Sequence, residues 1–486
     1  MRGSQILSSL FHCAVKTKKK SSISGVFLYH LRYDRPMDII EERLGKLGIE
    51  IPDILLPQRA DLRQWAVIAC DQFTQDRVYW EKVKETAAGS PSALNLIFPE
   101  VFLADSDHAQ RIGDIHRSMR HYLDSGVFAA PRRGFVYLER DTPFNRGRKG
   151  LVAAVDLEQY SWSPGARPLI RPTEGTVPER LPPRMDIRRS APLETPHILL
   201  LIDDDADSLL RELGERAKKN APAYQGELML NSGSVTGWFL DKEDDWSFLA
   251  GGVEELSRRA LTRYSADEQP GSVTQPGSAA QPFLFAVGDG NHSLASAKGI
   301  WEEYRGGGNP SASRCRYALV EIENIYDPAI QFEPIHRVVF GLDFDGALNL
   351  LSALPAFSSR MIFGREELVR LTAEPVKGNR FGIVCGGRYA IIETSAGGIA
   401  TASLQPLLDG AVTGDGLSID YIHGEEELFR LASGSGKPAA GILLPPVQKA
   451  GFFETIAHSG PLPRKSFSMG EAAEKRFYIE CRELFV

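Results

Sequence analysis

Residues 283–308 read FLFAVGDGNHSLASAKGIWEEYRGGG. The stretch divides into a short apolar strand (283–287), a glycine-containing turn, and an amphipathic helix stopped by three glycines. A strand that turns through glycines directly into a helix is the unit of an α/β fold. The pattern upstream repeats the alternation. HILLLIDDD (197–205) is an apolar run ending in acids, as a buried strand reaching a sheet edge would be, and ADSLLRELGERAKK (206–219) follows as an amphipathic helix. Ile112, Ile115, Met119, Tyr122 and Leu123 make one apolar stripe, which predicts a helix over 109–128 with Gly126 as its stop. GFVYLER (134–140) and LVAAVDL (151–157) are strand-like and joined by a turn-rich link, and 226–240 reads as a hairpin around Asn231-Ser232-Gly233.

A second block follows from about 345, with strands at 381–385, 388–394 and 440–446, a helix at 425–433 and a last strand near 476–484. The expectation is a mixed α/β protein in two parts, 37–344 and 345–486, behind a basic, disordered tail at 1–36. SADEQPGSVTQPGSAAQP (265–282) has almost no apolar side chains to offset its ordering entropy and reads as a mobile insertion.

With 43% apolar and 24% charged residues the chain has the composition of a soluble globular protein. No run approaches the length of a membrane span. Five scattered cysteines (13, 70, 315, 385 and 481) without a CxxC pair argue against a disulfide framework or structural zinc and fit a reducing cytoplasm. The net charge of −7 hides an asymmetry: the tail holds seven cations and one acid, so residues 37–486 carry −13. An acidic body disfavours a broad nucleic-acid surface but leaves room for a local basic site for a phosphate-bearing metabolite. The tail resembles a transit peptide in composition but equally reads as translated upstream sequence, with Met37 as the natural start.

The turn Gly288-Asp289-Gly290-Asn291-His292-Ser293 carries the chemistry expected of a site. Gly288 and Gly290 let the chain turn sharply and let a ligand approach the backbone. The following helix N-terminus offers unpaired N–H groups and a partial positive charge to an anion. Asp289 can hold a metal ion or orient a hydroxyl, and His292 can donate to a phosphate oxygen or shuttle a proton. Both are expected to point into a pocket. The same residues admit a structural reading, in which the glycines only make the turn and Asn291 only caps the helix. No GxSxG elbow, HExxH, GxxxxGK[ST] or GxGxxG motif occurs, which speaks against those hydrolase, Walker-type and dinucleotide classes. The histidines His108, His116, His121, His197, His423 and His458 show no metal-ligand spacing.

VGDGNHSLASAK resembles the signature of domain-of-unknown-function family 1015, whose commoner form reads DGHHRYETAL. Four further segments resemble that family in order: WAVIACDQFTQDRVYW (65–80), the charged stretch 170–199, IYDPAIQFEPIHRVV (325–339) and GPLPRKSFSMG (460–470). Together they span roughly 50–486. The resemblance implies a ParB/sulfiredoxin-like nucleotide-binding core, some members of whose superfamily phosphorylate free serine. It departs from the family where Ser293 replaces the usual arginine and Asn291 the first histidine, so the charge facing a phosphate must come from elsewhere. Cys70-Asp71 stands where the family has Tyr-Asp.

What the resemblance implies is a nucleotide-dependent phosphotransferase for a small hydroxylated metabolite. ATP or ADP phosphates would lie on Gly288, Gly290, Asn291 and Ser293, with Asp289 and His292 catalytic. Mg²⁺ would be held by Asp71 or Asp289, and Asp71 or Glu174 would take the substrate proton. Arg171, Arg180, Arg337 and Lys465 are the candidate cations. Each has a bland alternative: a solvated loop for the arginines at 171–189, and an ion pair for Arg337 beside a core His336. The five prolines at 172–192 predict an extended ordered loop there. The competing function is a nucleotide- or metabolite-binding module without turnover.

Overall fold

The computed structural model describes residues 39–264, 281–307, 310–413, 416–434 and 438–485. The tail 1–36 and all but the last two residues of the 265–282 insertion lie outside the described residues.

The alternating pattern folds as a mixed α/β structure around two sheets. In the first, strands run in the order Tyr224–Glu227, Ser234–Leu240, Phe135–Asp141, Arg148–Asp156, Tyr317–Asn324, Leu199–Ile202, Phe285–Asp289 and Ile170–Pro172. Ile49–Glu50 adds to the far end of Arg148–Asp156. Two pairings are parallel, Tyr317–Asn324 with Leu199–Ile202 and Phe285–Asp289 with Ile170–Pro172; the others are antiparallel. Both faces are buried, which is why the strands read as near-continuous apolar runs. Phe135, Tyr137, Leu151 and Val155 face a core shared with the helices Leu209–Ala217, Glu243–Tyr264 and Asn291–Gly307. Val136, Leu138 and Val152 face the opposite core with Trp65, Trp80, Ile115 and Met119.

The second sheet has the order Ser358–Ile362, Arg388–Thr394, Asn379–Cys385, Ala439–Leu443, Phe332–Phe340 and Ser418–His423, with Phe467–Met469 on the near end of Phe332–Phe340. A mixed aromatic core joins it to the first sheet: Leu199, Leu201, Phe283 and Ala286 pack with Phe332, Phe452, Phe467 and Met469.

Two local expectations change. The extended loop at 171–189 contains a helix, Leu181–Arg188. Pro182 and Pro183 sit in its first turn, where a missing N–H leaves no helical bond unmade. The strand expected at 476–484 in the second block is instead two short pieces. Phe477–Tyr478 pairs with Val67–Ile68, and Arg482–Glu483 pairs with Leu193–Glu194.

The chain end therefore returns under the first sheet, and buried charges hold it there. Arg476 Nη1 meets Glu321 Oε2 at 2.6 Å, both essentially solvent-free, and also pairs with Glu480. Arg482 Nε donates to Glu194 Oε1 at 2.7 Å. Arg140 donates to the carbonyls of Ala473 (2.6 Å), Glu474 (3.1 Å) and Lys475. A buried pair that loses one partner strands a charge in low dielectric. Arg476→Ala is thus expected to cost about 3–5 kcal/mol, read as a lowered urea midpoint. A loss below about 1 kcal/mol, the scale of a surface pair, would show the pairing to be superficial.

Candidate functional site

The strand Phe285–Asp289 and the helix Asn291–Gly307 are separated by Gly290 alone. Gly290 has φ +84°, a left-handed conformation, and a Cβ there would lie 3.0 Å from Ile198 Cγ1. Gly288 sits at a register shift against Leu199–Leu200, and a Cβ there would run into Met469 Sδ and lie 3.0 Å from Leu201 Cγ. The glycines are thus required by packing and backbone alike.

Both Asp289 oxygens have a partner. Its Oδ1 accepts the Gly290 N–H (2.9 Å) and its Oδ2 pairs with Lys475 Nζ at 3.1 Å. Asn291 Oδ1 accepts the Thr173 N–H (3.2 Å), while the Thr173 hydroxyl donates to the Val287 carbonyl (2.6 Å). His292 Nε2 accepts the Val177 N–H at 3.2 Å, so the neutral ring carries its proton on Nδ1. Burial, then Arg184, Arg180 and Arg464, push the His292 pKa down to about 4. The first helical bond is Leu294 N–H to the Gly290 carbonyl (3.0 Å), so the N–H groups of Asn291, His292 and Ser293 precede the helical ladder.

These bonds gather three chain segments. Thr173 and Val177 dock the loop leading to Arg180 and Arg184 against the turn. Glu174 Oε1 accepts the Ser466 N–H (3.2 Å), which brings up the segment of Arg464 and Lys465. Burial raises the Glu174 carboxyl pKa above its usual range, opposed by those backbone amides and the nearby Lys465. Lys465 has φ +60°, a conformation rarely adopted by side-chain-bearing residues outside constrained turns. Arg180, Arg464 and Lys465 are exposed, whereas Arg184 is ion-paired with Glu100.

Ser293 faces another way. Its Oγ lies 2.7 Å from His197 Nε2, and His197 Nδ1 lies 2.9 Å from Tyr478 Oη, which also accepts the Cys70 N–H (3.1 Å). Ser293, His197, Tyr478 and Cys70 line a cavity of about 140 Å³ that Asp289 and His292 do not line. Asp289 and His292 are held by backbone amides, and Asp289 also by Lys475, on a different side from that cavity. Asp71 follows Cys70, accepts from Gln72 Nε2 (3.0 Å), and favours the protonated form of His197. Burial pushes the Cys70 thiol far up, so it is no ready nucleophile.

Arg171 and Arg337 are not brought to the turn. Arg171 is buried, donates to the Pro168 carbonyl (3.1 Å) and stacks 4.5 Å from the Phe283 ring centre. Arg337 is buried in the second sheet, donates to Gln405 Oε1 (2.9 Å) and covers the Tyr421 ring at 4.6 Å. Burial lowers both pKa values to about 10. His336 is a core histidine whose Nδ1 accepts the Leu444 N–H (3.1 Å). Asp71 and Asp289 do not form a metal cage. Among the described residues no group of three or more His, Cys, Asp or Glu is arranged to hold an ion, and each Asp289 oxygen already has one partner.

Lys475, Tyr478 and His197 are the site residues that sequence reading missed. His197 is 96 positions from the serine it touches, and the two others arrive only through the returning chain end. Among the described residues no helix is long and apolar enough to cross a membrane.

No curated protein matches the chain. It is similar to a conserved hypothetical protein from Pyrococcus furiosus, with 12% identity over 68% of this chain and 90% of that one, at a TM-score of 0.31. It is also similar to a free serine kinase in complex with AMP (11% identity, 68% and 92% covered, TM-score 0.35). A third similar structure is C-terminally truncated SbnI from Staphylococcus aureus (11%, 67% and 85%, TM-score 0.32). The family model described as protein of unknown function (DUF1015) matches residues 53–411, and the chain belongs to that family.

Proposed function

We propose that the chain is a nucleotide-dependent phosphotransferase acting on a small hydroxylated metabolite, with a ParB/sulfiredoxin-like core in which ATP or ADP phosphates bind at the Gly288–Ser293 turn. The observation that carries this reading is the docking of two cation-bearing segments against one open helix N-terminus. Thr173 and Val177 bond to Asn291 and His292, and Glu174 bonds to Ser466, which sets the exposed Arg180, Arg464 and Lys465 around the turn. Backbone N–H groups backed by exposed cations suit a polyphosphate, and phosphoryl transfer asks mainly for positioning and charge neutralisation.

In this reading the N–H groups of Asn291–Ser293 and the side chains of Arg180 and Lys465 hold the phosphates. Asp71 accepts the proton of the substrate hydroxyl as its oxygen bonds to phosphorus and the nucleotide leaves. Glu174, with its raised pKa, is the alternative acceptor. Asp289 positions Lys475, and no step is assigned to Mg²⁺. The ion pair on Asp289 favours a second reading, binding without turnover, because it occupies a carboxylate that a catalytic role would need.

Incubation with ATP or ADP and a set of hydroxylated metabolites separates the readings. Nucleotide consumption supports transfer, saturable binding without consumption supports the binding module, and the absence of both rules out a nucleotide-phosphate site. Arg180→Ala and Lys465→Ala are each expected to weaken nucleotide binding about tenfold with an unchanged melting temperature, since a charge-assisted bond contributes about 1.5 kcal/mol or more. Equal affinity in both variants would remove the cations from the site.

His292 supplies a pH signature. Its folded-state pKa lies near 4, below the ordinary 6.5, so the unfolded chain binds its proton more readily. The stability it contributes is full above about pH 6.5 and is lost as pH falls towards 4. A bound polyphosphate favours the imidazolium, so its NMR titration midpoint should rise with saturating ADP. A midpoint that stays put would place the nucleotide elsewhere.

A further inference from the structure

The serine that replaces the family's arginine is hydrogen-bonded to a histidine whose other ring nitrogen is held by a buried phenol. Ser293 Oγ to His197 Nε2 is 2.7 Å, and His197 Nδ1 to Tyr478 Oη is 2.9 Å. Tyr478 is fixed in turn by the Cys70 N–H and by edge-to-face packing on His197, with ring centres 5.4 Å apart. A hydroxyl on an imidazole that is itself oriented by a third group is the arrangement of an activated nucleophile. The same three residues open on a cavity of about 140 Å³ walled by Leu96, Phe98, Met119, Ile187, Leu193 and Leu319. Its charged members are paired, Arg184 with Glu100 and Arg188 with Glu194, which leaves an apolar interior of roughly the volume that holds one benzene.

We propose that Ser293 is a nucleophile, with His197 as its base and Tyr478 as the positioning residue, that takes a short apolar acyl group from a carboxylic ester whose acyl chain occupies this cavity. The Ser293 Oγ–carbonyl carbon bond forms while the ester C–O bond to the alcohol breaks. The Ser293 proton passes to His197 Nε2 and leaves with the alcohol. His197 works in the tautomer that keeps its other proton on Nδ1, donated to Tyr478 Oη. Water then attacks the acyl-serine, gives its proton to His197, and releases the carboxylic acid and free Ser293.

His197 is kept neutral by burial, helped by Arg184 and Arg476 and opposed by Asp71 and Asp289. The inference stands apart from the nucleotide reading. His292 and Ser293 are successive helical residues and project to different sides, one to Val177 and the other to His197.

The test is intact-mass and peptide mapping of the full chain treated with a fluorophosphonate, with p-nitrophenyl butyrate and decanoate as turnover probes. The expected result is a single adduct on Ser293, labelling slowed at least a hundredfold in His197→Gln, and butyrate cleaved at least tenfold faster than decanoate. Tyr478→Phe should shift the pH of half-maximal labelling, which a purely structural residue would not. No adduct, or an adduct on another serine, overturns the proposal, and mapping on the unmodified chain decides this even where Ser293→Ala fails to fold. ADP binding by calorimetry on the same sample keeps the two readings separate: intact ADP binding without an adduct sinks only the nucleophile, and an adduct without ADP binding sinks only the nucleotide site.

Discussion

The ion pair between Arg476 and Glu321 is the constraint on which the candidate site depends. It lies with both side chains essentially out of water and fastens the end of the chain beneath a strand of the first sheet. A buried pair of this kind contributes little net stability relative to a well-packed apolar pair, but it strongly penalises any arrangement that leaves one partner behind. Here it fixes where residues 475–478 run. Lys475 is then within 3.1 Å of Asp289, and Tyr478 within 2.9 Å of His197. The turn after the strand Phe285–Asp289 would lack both neighbours without the returning segment, although the strand, the glycines and the helix would be unchanged.

The turn thus has two chemically distinct sides. On one, backbone amides of 173–177 contact Asn291 and His292, and exposed cations gather around the helix N-terminus. On the other, Ser293 meets His197 over an apolar cavity. Ser293 places a hydroxyl, not a cation, at the start of the helix, and the exposed cations nearby belong to neighbouring loops. His292, held neutral by burial and by Arg184, Arg180 and Arg464, marks the first side as rich in positive charge, only part of which is answered by the Arg184–Glu100 pair.

Local chemistry explains what the sequence made legible. The strand at 285–289, the hairpin of 135–156 and the helix over 108–124 were readable because apolar period and glycine placement act over a few residues. The helix Leu181–Arg188 was hidden by prolines that look like breakers until their first-turn position is known. Arg171 and Arg337 illustrate a different limit. An arginine stacked on a buried ring and an arginine awaiting a phosphate are the same letter, and only burial separates them. His197 and Tyr478 carried no motif at all, since their partnership with Ser293 exists only once three distant segments meet.

The Gly288–Ser293 turn is proposed as an anion site completed by neighbouring loops. A crystal structure with ADP bound tests it most directly. The terminal phosphate is expected on the N–H groups of Asn291–Ser293, within reach of Arg180 and Lys465. ADP seated instead in the larger cavity of about 620 Å³ lined by Arg380, Thr401 and His458 in the second part of the chain, with the turn left empty, would contradict it.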